Sequence, residues 1–83
     1  MMFTTSRYAS EDTRELALVL AEKSDDLFIS RGKRTIANLV EIARKRGENR
    51  ISILEEHKGK PFRISFIEVS ELGNWKWAGE KAL

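Results

Sequence analysis

The chain has 83 residues, no cysteine, one histidine and a formal charge of only +2. Without cysteine there is no disulfide and no thiolate metal site, and one histidine cannot build a histidine-rich one, so neither metal nor cofactor is expected. No apolar run approaches the ~20 residues that cross a bilayer, and the opening Met-Met-Phe-Thr-Thr-Ser-Arg lacks the apolar region of a signal peptide, so the sequence reads as one soluble, cytoplasmic domain over residues 1–83 with no membrane partner.

In chain order, Met2–Thr5 is a short β-prone segment, and Ser6-Arg7-Tyr8-Ala9 turns out of it. Ser10 is a good N-cap with Glu11 and Asp12 behind it, which predicts a helix over 11–23 whose core stripe is Leu16, Val19, Leu20 and the stem of Lys23, widened by Ala17 and Leu18. Leu27–Ser30 is short and apolar, as a central parallel strand would be. Thr35 caps a second helix over 36–46, with Ile36, Leu39, Val40 and Ala43 inward; Arg44, Lys45 and Arg46 suit its C-terminal dipole and Gly47 its end. Ile51–Leu54 is a third strand, His57-Lys58-Gly59-Lys60-Pro61 a hairpin loop, and Phe62–Val69 a fourth strand. Trp75 and Trp77 share one side of a candidate fifth short strand, as a core lid or as an interface. The order β-α-β-α-β-β predicts an α/β fold, with α+β as the alternative: a mixed sheet with two helices and an antiparallel hairpin at one edge.

Charge is unevenly spread. Residues 31–63 hold ten Lys and Arg against four Glu, a local +6, whereas residues 1–30 sum to −3 and 64–83 to −1. Such asymmetry predicts one basic face and a polyanionic partner. The centre of that face is Phe28-Ile29-Ser30-Arg31-Gly32-Lys33-Arg34-Thr35, a strand running through a cationic turn into a helix start. Turns after parallel strands lie at the carboxyl end of the sheet, where ligands commonly bind, and helix N–H groups add positive potential there. If the first two strands are parallel neighbours, Arg7 joins Arg31, Lys33 and Arg34 at that edge. Lys58 and Lys60 form a second basic spot, and Arg63 alternates with Phe62 and Ile64 onto the other strand face.

Catalytic motifs are absent. Gly32-Lys33 is not part of a phosphate-binding loop, because position 27 is Leu and Arg34 follows the lysine. His57 has no triad-like context, and Glu55 and Glu56, as adjacent strand residues, point to opposite faces. No enzyme is expected.

Thr4-Thr5-Ser6-Arg7, Thr13-Arg14, Arg31-Gly32-Lys33 and His57-Lys58-Gly59-Lys60-Pro61, in that order, resemble the Brix domain family, especially its short archaeal members, from about Phe3 to Ile67. The resemblance covers only the N-terminal half of that domain, each half of which is similar to the anticodon-binding domain of class II aminoacyl-tRNA synthetases. It implies an RNA-binding ribosome-biogenesis factor contacting ribosomal or precursor ribosomal RNA and assembly proteins, with Arg7, Arg31 and Lys33 as matched basic positions. Glu11, Asp12 and Glu15 depart from the family by making the first helix start acidic. The alternative is a protein–protein adaptor docking through Trp75 and Trp77. A lone half could also pair with itself, through those tryptophans and an edge strand at Phe62–Val69. Arg31→Glu with Lys33→Glu is expected to weaken RNA binding without unfolding the domain.

Overall fold

A computed structural model describes residues 1–83, in which the elements run β1 (Met2–Thr5), α1 (Glu11–Lys23), β2 (Leu27–Phe28), α2 (Ile36–Lys45), β3 (Arg50–His57), β4 (Lys60–Val69) and β5 (Trp75–Ala82). The sheet order is β2-β1-β3-β4-β5. β1 pairs in parallel with β2 and β3, and β3, β4 and β5 form an antiparallel meander. This mixed sheet with two helices carries the predicted α/β half and an antiparallel half that makes the whole α+β.

Alternation along the strands puts a helix on each face. On one face Met2, Ile51, Ile53, Ile67 and Val69 pack under Leu39, Val40 and Ala43 of α2. On the other, Phe3, Leu54 and Ile64 pack under Ala17 and Ala21 of α1. β1 is therefore buried at all four positions. The predicted caps form as expected. The Thr13 N–H donates to Ser10 Oγ, and Thr35 and Asn38 form a reciprocal capping box with both bonds at 3.1 Å.

The five-residue hairpin loop expected at 57–61 is a two-residue turn, Lys58-Gly59, because His57 and Lys60 pair across the ladder. Four further expectations change. The central strand is β1; β2 is an edge strand of two half-buried residues, followed by one more ladder bond from the Ile29 N–H to the Phe3 carbonyl. The short apolar run at 27–30 gives no sign of which neighbour is outermost. The buried stripe of α1 is Thr13, Ala17 and Ala21, while Val19 and Lys23 face solvent and Leu16 and Leu20 are half-buried. Small residues let the helix approach the sheet closely, and that outweighs the larger leucine stripe. β4 lies inside the sheet, so the edge on that side is β5, which is eight residues long. Trp75 and Trp77 form no core lid: they are 40% and 56% exposed and meet edge-to-face at 5.8 Å.

Candidate nucleic-acid interface

Because β1, β2 and β3 are parallel, the segments that follow them emerge at the same end of the sheet. These are the Arg7 turn, the Arg31–Arg34 turn and the β3–β4 hairpin with His57, Lys58 and Lys60. Cations spread over more than fifty residues thus share one edge. Strand order reverses at β1, with its parallel partners on either side; in open parallel sheets that is where ligands bind.

Between the first two turns lies a cleft of about 370 Å³, lined by Thr5, Ser6, Tyr8, Ala9, Arg14, Ser30, Arg31, Gly32 and Lys33. Three of these are cations and none is acidic. Arg31 is 8% exposed and ties the two turns together: Nη1 donates to the Thr5 carbonyl at 2.9 Å and Nε to the Arg34 carbonyl at 2.6 Å. Burial, and then the like charge of Arg7, push the Arg31 guanidinium below its ordinary pKa. Its Nη2 makes no hydrogen bond and retains access to solvent. Arg31 is therefore a clamp first and an anion donor second, so Arg31→Glu is not a neutral probe of binding. Arg7 and Lys33 make no ion pair or side-chain hydrogen bond, and an anion would meet them unopposed. Arg34 folds back on its own turn, Nη1 donating to the Ser30 carbonyl at 2.7 Å, while remaining exposed. Arg14 is held by the Ala9 carbonyl at 2.8 Å.

The N-terminus of α1 already holds an anion. Glu56 accepts from the Ser10 N–H at 2.9 Å and from the Thr13 hydroxyl at 2.7 Å; the Ser10 hydroxyl, with one proton to share, lies 2.8 Å from Glu56 Oε2 and 2.9 Å from the Gly59 carbonyl. Bonds from the Thr13 hydroxyl, then the Ser10 N–H and hydroxyl, hold the Glu56 carboxyl below the usual range. This clasp fastens the hairpin to the segment that begins at Arg7, so Lys58 and Lys60 flank the cleft region rather than forming a detached spot. Sequence reading missed Glu56; the available signal was a capping serine and threonine with no acid three residues on.

One expected site residue, Arg63, lies apart from the cleft. Arg63 forms a fork with Glu55 at 3.1 and 3.3 Å and pairs with Glu80 at 3.3 Å. Burial opposes ionisation of Glu55, but Arg63 and Ser65 outweigh it and its pKa falls. Arg63 is thus neutralised locally, beside Trp77 in a separate depression. Arg44, Lys45 and Arg46 sit at the opposite end of the sheet, where Lys45 pairs with Glu41 and Arg44 reaches the Glu71 carbonyl. Glu55 and Glu56 point to different partners, as their adjacency requires, and His57 stacks edge-on against Phe62 at 6.0 Å.

No family profile matches the chain. Over 80 residues, 95% of its length, the chain is 34% identical to a protein of Thermococcus kodakarensis and 35% identical to one of Pyrococcus furiosus, each named a probable Brix domain-containing ribosomal biogenesis protein. It covers 38% and 35% of those two proteins. The crystal structure of Mil, an archaeal Imp4-like protein, matches with a TM-score of 0.75 and 31% identity over 90% of this chain and 46% of that one. A probable ribosomal biogenesis protein from Aeropyrum pernix K1 shares the fold, with a TM-score of 0.81 at 24% identity over 95% of this chain and 44% of that one. By sequence over nearly all of its length, and by fold, the chain is similar to archaeal Brix domain-containing ribosomal biogenesis proteins, and it spans about a third of the length of the two it matches here.

Proposed function

We propose that this domain binds ribosomal or precursor ribosomal RNA during ribosome assembly, by seating phosphate at the carboxyl edge of its parallel strands. The observation that carries this reading is a cleft lined by Arg14, Arg31 and Lys33 and by no acidic residue, with Arg7 close enough for its charge to act on Arg31. Lys58 and Lys60 extend the basic rim along the hairpin clasped to Ser10. Phosphate contacts of this kind supply affinity and register without reading sequence. The relatives' names support the ribosome-assembly context.

Binding to a labelled ribosomal RNA fragment, measured across a salt series beside tRNA and duplex DNA, tests the reading. Wild-type affinity should fall steeply with salt. Arg7→Glu with Lys33→Glu should lower affinity and flatten the salt slope by ~1–2. An unchanged slope in that variant would remove the cleft from the mechanism. The exposure of Trp75 and Trp77 favours a second reading, in which an assembly protein docks on that end. Such docking should barely respond to salt.

A further inference from the structure

The cleft has one lining residue that phosphate binding does not explain. Tyr8 is 76% exposed, although its neighbour Ala9 is only 7% exposed. Its backbone is left-handed, with φ of 58°, a conformation uncommon for a bulky side chain. The turn is pinned on both sides: the Ser6 N–H donates to the Leu54 carbonyl at 2.9 Å, and Ser10 is clasped by Glu56. The chain thus leaves β1, turns the aromatic ring outward at the cleft and returns to the core at Ala9. A ring so placed makes no contribution to the hydrophobic core, and the phenol makes no hydrogen bond within the domain.

An exposed aromatic beside unopposed cations is the combination that single-stranded nucleic acid uses, with backbone phosphate on the cations and a base on the ring. RNA bases become available for stacking in single strands, loops and bulges, where they are splayed from the helix. At about 370 Å³ the cleft is near the lower end of small-ligand sites, which suits one nucleotide rather than a duplex groove. We propose that the cleft takes a single-stranded RNA nucleotide, with its phosphate against Lys33 and Arg31 Nη2 and its base stacked on Tyr8. This rests on the RNA-binding reading above and adds to it the class of RNA and the residue that selects it.

The test is fluorescence anisotropy on the whole chain with a short single-stranded RNA, the same sequence as a duplex, and a ribose-phosphate oligomer lacking bases. Tyr8→Ala should weaken single-strand binding roughly 5- to 150-fold, the worth of one base–aromatic stack. It should leave the salt slope, the duplex affinity and the affinity for the base-free oligomer at wild-type values. Tyr8→Phe should bind the single strand like wild type, because the ring and not the hydroxyl carries the contact. Wild-type single-strand affinity in Tyr8→Ala, or equal wild-type affinity for single strand and duplex, would overturn the stacking inference. If at the same time Arg7→Glu with Lys33→Glu still weakens binding, the phosphate reading survives alone; if that variant also binds like wild type, both fall. Circular dichroism of Tyr8→Ala checks folding, and Tyr8→Phe supplies the comparison should the alanine variant unfold.

Discussion

Replacing Arg31 by alanine should reveal a clamp rather than a surface cation. The side chain is 8% exposed and donates to two backbone carbonyls far apart in the chain, Thr5 at the end of β1 and Arg34 in its own turn. Hydrogen bonds from a charged donor contribute ~1.5–3 kcal/mol each. Two such bonds set a ceiling of ~3–6 kcal/mol, and because the cleft is open, water can reach part of the vacated space. A net loss of ~2–4 kcal/mol is therefore expected, from a domain whose total stability at this size is ~4–12 kcal/mol. Lys33→Ala, two residues away, exposed and unpaired, should cost no more than ~0.5 kcal/mol. Arg31→Lys should recover less than half the loss, because an ammonium lacks the planar fork that reaches both carbonyls. Urea denaturation followed by far-ultraviolet circular dichroism measures all three, with the slope checked for constancy so that midpoints compare stability. If Arg31→Ala loses no more than Lys33→Ala, the two turns are not held by this guanidinium and the account of the cleft fails.

Glu56→Gln should destabilise the domain at neutral pH and flatten its acid profile. The folded-state pKa of Glu56 is depressed, so its contribution is complete above the unfolded value of about 4.3 and is lost as pH falls through the lower folded value; wild type should therefore lose more stability than the variant on going to acid. Parallel melts at neutral and acid pH check the sign, and equal losses in the two proteins would dismiss the clasp as an electrostatic tie. Gly59→Ala should cost ~1 kcal/mol or more, because the two-residue hairpin turn needs positive φ at both Lys58 (52°) and Gly59 (78°). Thermal melting reads that loss, and an unchanged midpoint would mean that the turn relaxes to another type.

Much of the local structure was determined by the sequence itself. Ser10 and Thr35 mark both helix starts because their side chains can satisfy N–H groups that no later residue in the helix can reach. The stripe of Ile36, Leu39, Val40 and Ala43 fixes which side of α2 faces the sheet, and Lys58-Gly59 fixes the hairpin. The α1 stripe centres on Ala17 and Ala21 rather than on the leucines, because leucine spacing, with Ala17 only at its margin, does not show which residues lie closest to the strands. Tertiary structure alone decided what the basic residues do. Arg31, Lys33 and Arg63 are equivalent in composition, yet strand order buries Arg31 between two turns and leaves Lys33 free, while pairing with β3 sets Arg63 opposite Glu55. Local sequence specifies helix ends and turns because their partners lie within a few residues. The partners of a charge are set by strand order and register, which bring together residues far apart in the chain.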